Sequence, residues 1–200
     1  MKIDASRLQT SMEEMARIGA TAGGGVHRLT LSDSDKDARD LFASWVKSAG
    51  LSLDVDEMGN MFARREGSDD LATPVMVGSH FDSVPNGGRF DGSLGVLAAL
   101  EIVRTLNDRE IATHRPIEIV NWTNEEGPRF PPSMLGSGVF AGAFERDFAY
   151  EVRDTDGMRF VVELDRIGYR GKLPCQPRPL AGYLELHVEQ GPALFTSGIQ

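Results

Sequence analysis

The sequence predicts an α/β fold in which neighbouring strands of one sheet run parallel. Residues 75–79 form a short apolar segment that is typical of a buried strand. Residues 93–106 carry apolar side chains at helical spacing, and residues 117–123 form a second apolar segment. A strand, a helix and a strand in this order leave a connection long enough for the crossover that two parallel neighbours require.

The other elements follow from the same periodicities. In chain order they are helices over 6–18 and from a cap at Ser34 or Asp35 to Gly50, strands over 51–57 and 61–65, helices over 135–146 and 157–167, a strand over 181–188 and a short helix from Ala193. Gly59-Asn60 separates two of these strands and predicts an antiparallel hairpin. Gln200 follows the apparent start of a further element, so we expect the sequence to be part of a longer protein.

Composition argues against several classes of protein. The chain has 200 residues, 40% of them hydrophobic, and a net charge of −9. Because no cluster of Lys and Arg is present, nucleic-acid binding is not expected. The longest apolar run, residues 94–103, is too short to span a bilayer, and the N-terminus lacks the apolar core of a signal peptide. We therefore expect a soluble cytoplasmic protein without a membrane partner.

Cys175 is the one cysteine of the sequence. A single cysteine allows neither an internal disulfide nor a thiolate zinc cluster, and we interpret it as an inert loop thiol. Any metal site in this chain must therefore be built from His, Asp and Glu.

Such residues occur where the predicted strands end. His80 ends one strand, Glu125 and Glu126 follow the next, and His187 lies near the end of the last, while Asp91 precedes the helix that follows the first of these strands. Open α/β sheets bind ligands at the carboxyl ends of their strands, so these side chains are expected to meet at one edge. Nitrogen and oxygen ligands of this kind suit Zn²⁺ or Mn²⁺.

A coordination count favours two divalent ions. Suppose that Asp91 bridges two ions ~3.5–4 Å apart with a water between them. His80 and His187 then complete the four ligands of the first ion. The second ion has Glu126, Asp91 and the water, and so lacks one ligand. His114 precedes its strand and so lies at the opposite end of the sheet, and His27 lies in a glycine-flanked loop. We expect the missing ligand beyond residue 200.

Two further carboxylates have predicted roles. Glu125 is not needed as a ligand, so it is predicted to be the general acid/base that takes a proton from the attacking water. Asp82, two residues after His80, is predicted to receive the other imidazole N–H and orient the ring.

Each of these residues also has an ordinary structural explanation. His80 alone is more often a hydrogen-bonded loop histidine, and an acidic pair such as Glu125-Glu126 is usually a solvated turn. Asp91 fits a carboxylate near a helix N-terminus, where the helix dipole favours it. The segment around His187 fits the polar face of an edge strand. The prediction of a metal centre therefore depends on all of these residues occurring together.

The motifs that contain these residues resemble the hydantoinase/carbamoylase family of amidases over residues 6–200. The motifs are Gly78-Ser-His-Phe-Asp-Ser-Val84, Gly87-Gly-Arg-Phe-Asp-Gly92, Asn124-Glu-Glu-Gly-Pro-Arg-Phe130, Leu135-Gly-Ser-Gly-Val-Phe-Ala-Gly142 and Leu184-Glu-Leu-His-Val-Glu-Gln-Gly-Pro192. The resemblance implies a three-layer αβα fold with a mixed, mostly parallel sheet, like that of zinc exopeptidases. It also implies that residues 1–200 are the N-terminal portion of the catalytic domain, without the rest of that domain and without the lid domain through which the family forms homodimers.

The resemblance assigns the same site. His80, Asp91, Glu126 and His187 match the family's metal ligands, with Asp91 bridging, and Glu125 and Asp82 match the general base and the supporting carboxylate. Gln190 lies in a family block near the site and is a candidate substrate-binding residue.

The implied activity is hydrolysis of the C–N bond of N-carbamoyl-L-amino acids or related ureido acids by a metal-activated water. The alternatives are an allantoate amidohydrolase, a metallopeptidase of the same superfamily, and a fragment that is inactive alone.

Overall fold

The computed structural model describes residues 2–199 and contains a five-stranded sheet flanked by helices. The elements are α1 (Ala5–Arg17), α2 (Asp33–Ser48), β1 (Ser52–Val55), β2 (Met61–Arg65), β3 (Val75–His80), α3 (Ser93–Asp108), β4 (Ile117–Trp122), α4 (Leu135–Phe140), α5 (Arg146–Glu151), α6 (Phe160–Arg166), β5 (Gly182–Leu184) and α7 (Ala193–Ser197). Within this range, none of the helices is both long and apolar enough to cross a bilayer.

The sheet has the strand order β1-β2-β4-β3-β5 and is mixed. β1, β2 and β4 pair antiparallel, whereas β4, β3 and β5 pair parallel. The helix α3 provides the crossover between β3 and β4, as the sequence predicted. In the register of that pair His80 lies opposite Trp122, so the two strands end level with each other.

Apolar side chains cover both faces of the sheet. On one face, α1, α2 and α3 bury a large cluster that includes Met15, Phe42 and Leu100. On the other face, Trp122 packs with Phe62 and with Phe140 from α4. Helices on both faces make three layers, which confirms the predicted fold class.

The helix α2 begins earlier than predicted. Its N-cap is Ser32, whose hydroxyl accepts a hydrogen bond from the backbone N–H of Asp35 at 3.2 Å. Asp35 and Ser34, the predicted caps, lie in the first turn instead. The carboxylate of Asp35 faces inward, where it accepts bonds from the Leu31 N–H and the Arg39 guanidinium.

Two long predicted elements are shorter in the structure. The predicted helix 135–146 ends at Phe140 because Gly142, at φ +75°, turns the chain, and α5 starts only at Arg146. The predicted strand 181–188 pairs with β3 only as far as Leu184. Beyond it the chain crosses the start of α3, where the carbonyl oxygen of Leu186 lies 2.6 Å from the place that a Cβ on Gly95 would occupy.

Candidate metal centre

His80 is buried at the carboxyl end of β3 with one ring nitrogen oriented by the next loop. Its side chain is 1% exposed, and Nδ1 lies 2.9 Å from the backbone oxygen of Asp82 and 3.7 Å from the Asp82 carboxylate. The carbonyl is therefore the nearer acceptor for an Nδ1–H. With that proton on Nδ1, the lone pair of Nε2 is free to bind a metal.

Three side chains from separate segments surround the Nε2 atom of His80. Nε2 of His187 lies 3.4 Å away, Oδ1 of Asp91 3.7 Å away and Oε2 of Glu125 3.6 Å away. Asp91 Oδ1 is also 3.3 Å from His187 Nε2. The ligand atoms of His80, Asp91 and His187 all lie within 4.8 Å of one another, so the three residues form a group that could hold one metal ion.

The backbone positions Glu125 and Glu126 directly after β4. Their N–H groups both donate to the Asp82 carboxylate, at 3.2 Å each. Asn124, at φ +58°, supports this turn by donating from its side-chain amide to the carbonyls of Phe130 and Pro132. Asp82 therefore contacts the loops after both β3 and β4, and the second contact was not predicted from the sequence.

The carboxyl groups of Asp82 and Asp91 are buried, and those of Glu125 and Glu126 are partly buried. Burial, reinforced by the adjacent carboxyl of Asp91, raises the pKa of Glu126 to about 7. Burial also raises the pKa of Asp82 to about 6, against the opposing charge of His80. Burial lowers the pKa of His80, but the carboxylates of Asp82 and Glu125 outweigh it and raise that pKa overall. In the metal-free protein these three groups therefore hold protons to a higher pH than usual, which limits the negative charge of the cluster.

Two oxygen atoms of the cluster fit a metal for a further reason. Asp91 Oδ1 and Glu126 Oε1 are buried, and no group of residues 2–199 donates a hydrogen bond to them. A buried carboxylate oxygen without a donor is costly unless a cation binds it. The residues present therefore fit a bound divalent cation.

The remaining candidates lie outside the group of His80, Asp91 and His187. Gln190 is exposed, and it lines an open cleft of about 680 Å³ that Asp91 also lines. His114 is 72% exposed before β4, beside Asp69, and His27 is exposed in its loop.

A hydrogen-bonded chain that the sequence did not predict holds the segment just before His187. Trp122 Nε1 donates to the hydroxyl of Tyr183, and the Glu185 carboxylate accepts bonds from Tyr183 and Ser79. These contacts connect the segment before His187 to β4 and β3. The period-two spacing of 183, 185 and 187 was the available signal, since alternate residues of an extended segment share one face.

Comparison with known proteins gives concordant matches. A sequence model of the family described as Peptidase family M28 matches residues 60–185. An N-carbamoyl-L-amino-acid amidohydrolase of Rhizobium meliloti is 52% identical over 193 residues, which cover 96% of this chain and 46% of the relative. An allantoate amidohydrolase of Bacillus subtilis (strain 168) is 36% identical over 189 residues, 94% of this chain and 46% of the relative.

A solved structure is also similar. It is the crystal structure of an amidase of the hydantoinase/carbamoylase family from Burkholderia multivorans, with a TM-score of 0.96 and 54% identity, covering 98% of this chain and 48% of that chain. The present chain thus spans about half the length of the curated relatives it matches.

Proposed function

This chain belongs to peptidase family M28, and from that premise we propose that it forms part of a metal-dependent amidohydrolase. The proposed reaction is cleavage of the C–N bond of an N-carbamoyl-L-amino acid or a related ureido acid. The observation that carries the proposal is the group of His80, Asp91 and His187, with Glu125 at its edge. The amidohydrolases similar to this chain support the choice of substrate class.

In this proposal the ligands divide between two divalent ions. His80, His187 and Asp91 would hold the first, and Asp91 and Glu126 would hold the second. The mixture of imidazole and carboxylate ligands suits zinc or manganese. When bound, such a pair lowers the pKa of a water molecule and polarises the oxygen of the scissile group.

Glu125 is the residue to which this proposal assigns proton transfer. Its side chain is 30% exposed, whereas His80 beside it is 1% exposed, so Glu125 lies on the side of the group that substrate can reach. We assign it as the base that accepts a proton from the attacking water and delivers it to the leaving nitrogen. Asp82 holds the backbone of Glu125 and Glu126 in place, and Gln190 is assigned to the substrate cleft.

Allantoate hydrolysis is the second candidate, because a relative of that name is 36% identical. Peptide hydrolysis is the third, since the family model is described as one of peptidases. In both cases the same ligands and Glu125 act on a different substrate. A cytoplasmic location, homodimerisation and a further metal ligand outside residues 1–200 remain predictions of this proposal.

Assays of metal-loaded protein with N-carbamoyl-methionine, allantoate and a dipeptide test the proposal. Protein stripped with a chelator and reloaded with zinc or manganese should cleave N-carbamoyl-methionine, and a Glu125→Gln preparation serves as the blank for contaminating enzymes. Cleavage of the dipeptide alone would contradict the proposed substrate class. Preference for allantoate would select the second candidate.

Metal titration tests the site apart from activity. Two tight equivalents support the two-ion assignment, and one restricts it to the group of His80, Asp91 and His187. Binding of one equivalent without turnover would support the fragment alternative, in which this chain is inactive alone. No tight binding would contradict the metal centre itself.

A further inference from the structure

Arg28 holds both ends of the loop that separates two candidate metal ligands. Its guanidinium donates from Nε to the Phe81 carbonyl at 2.6 Å and from Nη2 to the Ser93 hydroxyl at 3.1 Å. Phe81 directly follows His80, and Ser93 comes two residues after Asp91. One planar group thus contacts the chain one residue after His80 and two residues after Asp91.

The same guanidinium is anchored to the helix layer. Nη1 donates to the carbonyls of Met15 and Ile18, both at 3.0 Å, at the C-terminal end of α1. The backbone of Arg28 also binds the loop, because its N–H donates to the Ser83 hydroxyl and its carbonyl accepts from the Ser83 N–H, both at 2.9 Å. The loop is therefore fixed against a helix that lies outside the site.

The charge of Arg28 is not used in an ion pair. Within the described range, all acceptors of its side-chain hydrogen bonds are neutral. Burial lowers the pKa of Arg28, and the charges of Asp35 and Asp82 oppose that shift without a hydrogen bond to the guanidinium. A buried cation with neutral acceptors is costly compared with an apolar side chain of similar size. Terminal helix carbonyls offset part of that cost, since they carry partial negative charge. The planar guanidinium is a rigid fork, because its N–H groups point in fixed directions. This geometry explains why arginine occupies the position.

We infer that Arg28 is a positioning residue, whose rigid fork sets the separation between His80 and Asp91. This inference rests on the proposed metal function. Lysine keeps the positive charge but has no planar fork, so it cannot hold Phe81 and Ser93 at the same time. Loss of the fork should therefore let His80 and Asp91 move relative to each other and weaken the binding of the first metal ion.

Arg28→Lys, compared with Arg39→Lys, tests the inference. Arg39 is equally buried, at 1% exposure, but its partners are Asp35, Gly59 and Thr123, outside the 81–93 loop. The measurements are the zinc dissociation constant, by competition with a chromophoric chelator, and urea unfolding of the metal-free proteins. Both variants should unfold at lower urea. Only Arg28→Lys should bind zinc more weakly, by ~10-fold or more, the usual effect of removing a group that orients a metal ligand.

A milder pair of variants covers the case in which Arg28→Lys does not fold. Ser93→Ala removes the hydroxyl that accepts the hydrogen bond from Arg28 Nη2. Ser11→Ala removes the comparable hydrogen bond from Arg104, of 3.0 Å, away from the site. Ser93→Ala should weaken zinc binding several-fold relative to Ser11→Ala.

The outcomes separate this inference from the proposed function. If the wild type binds zinc and Arg28→Lys and Ser93→Ala bind it as tightly as their controls, the positioning role is wrong and the metal centre stands. If zinc binding weakens equally in Arg28→Lys and Arg39→Lys, the cause is a general loss of structure, and the positioning role is also wrong. Failure of the wild type to bind zinc would overturn both proposals.

Discussion

Gly92 lies directly against the imidazole of His80. A Cβ on Gly92 would come within 2.5 Å of the ring atoms Cδ2, Cε1 and Nε2, and the residue has φ +58°. Only glycine leaves room for the ring at this point and adopts this backbone conformation without strain. The contact connects the loop that carries Asp91 to the ligand at the end of β3.

Gly92→Ala is predicted to displace His80 and weaken zinc binding by more than ~10-fold, because the added methyl group occupies the place of the ring. Gly50→Ala is the matched control: Gly50 has φ +76°, and apart from its two chain neighbours no described residue comes within 4 Å of the added Cβ. Both variants should lose ~1 kcal/mol of unfolding free energy from the left-handed backbone. Equal zinc affinities of the two variants would contradict the interpretation that Gly92 leaves room for the His80 ring.

Glu125→Gln is predicted to keep its metal and lose most of the rate, by ~10²-fold or more, because the amide cannot accept the proton of the attacking water. Glu126→Gln, its neighbour, should instead lose metal. The measurements are kcat on the preferred ureido acid and metal content by elemental analysis. Loss of metal from Glu125→Gln would reassign Glu125 as a ligand.

His187→Ala is predicted to abolish stabilisation by zinc with little effect on the metal-free protein. The His187 side chain is 34% exposed, so its removal should change the unfolding free energy by less than ~1 kcal/mol. Zinc at 100 times its dissociation constant should stabilise the wild type by ~2.7 kcal/mol. His114→Ala, at a histidine that is 72% exposed and outside the cluster, should keep the full zinc effect. Thermal unfolding with and without zinc distinguishes the two, and an unchanged zinc effect in His187→Ala would exclude His187 as a ligand.

Asp56 is predicted to make the metal-free protein less stable as the pH rises. Burial raises the pKa of this carboxyl from 3.8 to about 6 in the folded protein. Between these values Asp56 holds its proton in the folded protein and has released it in the unfolded chain. Its contribution to the unfolding free energy therefore falls from about pH 4 to about pH 6 and then levels off. The decline is at most about 3 kcal/mol, since a tenfold change in proton affinity corresponds to ~1.4 kcal/mol.

Asp56→Asn tests this dependence. The variant should lose less stability than the wild type between pH 4 and pH 7, because asparagine does not titrate. Asp54→Asn, at an exposed position of the same hairpin, should behave like the wild type. Urea unfolding at both pH values measures the difference. An equal decline in Asp56→Asn and the wild type would show that other groups cause it.

The central part of the fold could be predicted because local patterns determine it. The β3–α3–β4 unit followed from two apolar runs around an amphipathic helix, and the meeting of His80, Asp91 and His187 followed from the rule that parallel strands end at one edge. The predicted hairpin of β1 and β2 is also confirmed. The length of β5 could not be predicted in this way, because the path of the chain over α3 ends the strand.

By itself, the sequence determined the α/β class, the order of the central elements and the residue types able to bind a metal, since these depend on periodicity and side-chain chemistry along the chain. The contact of Gly92 with His80, the two loops held by Asp82 and the fork of Arg28 were decided only by the tertiary structure. Each of these joins residues that are separated in the chain or face each other across a loop. No local pattern records such a distance, because it depends on how helices and strands pack.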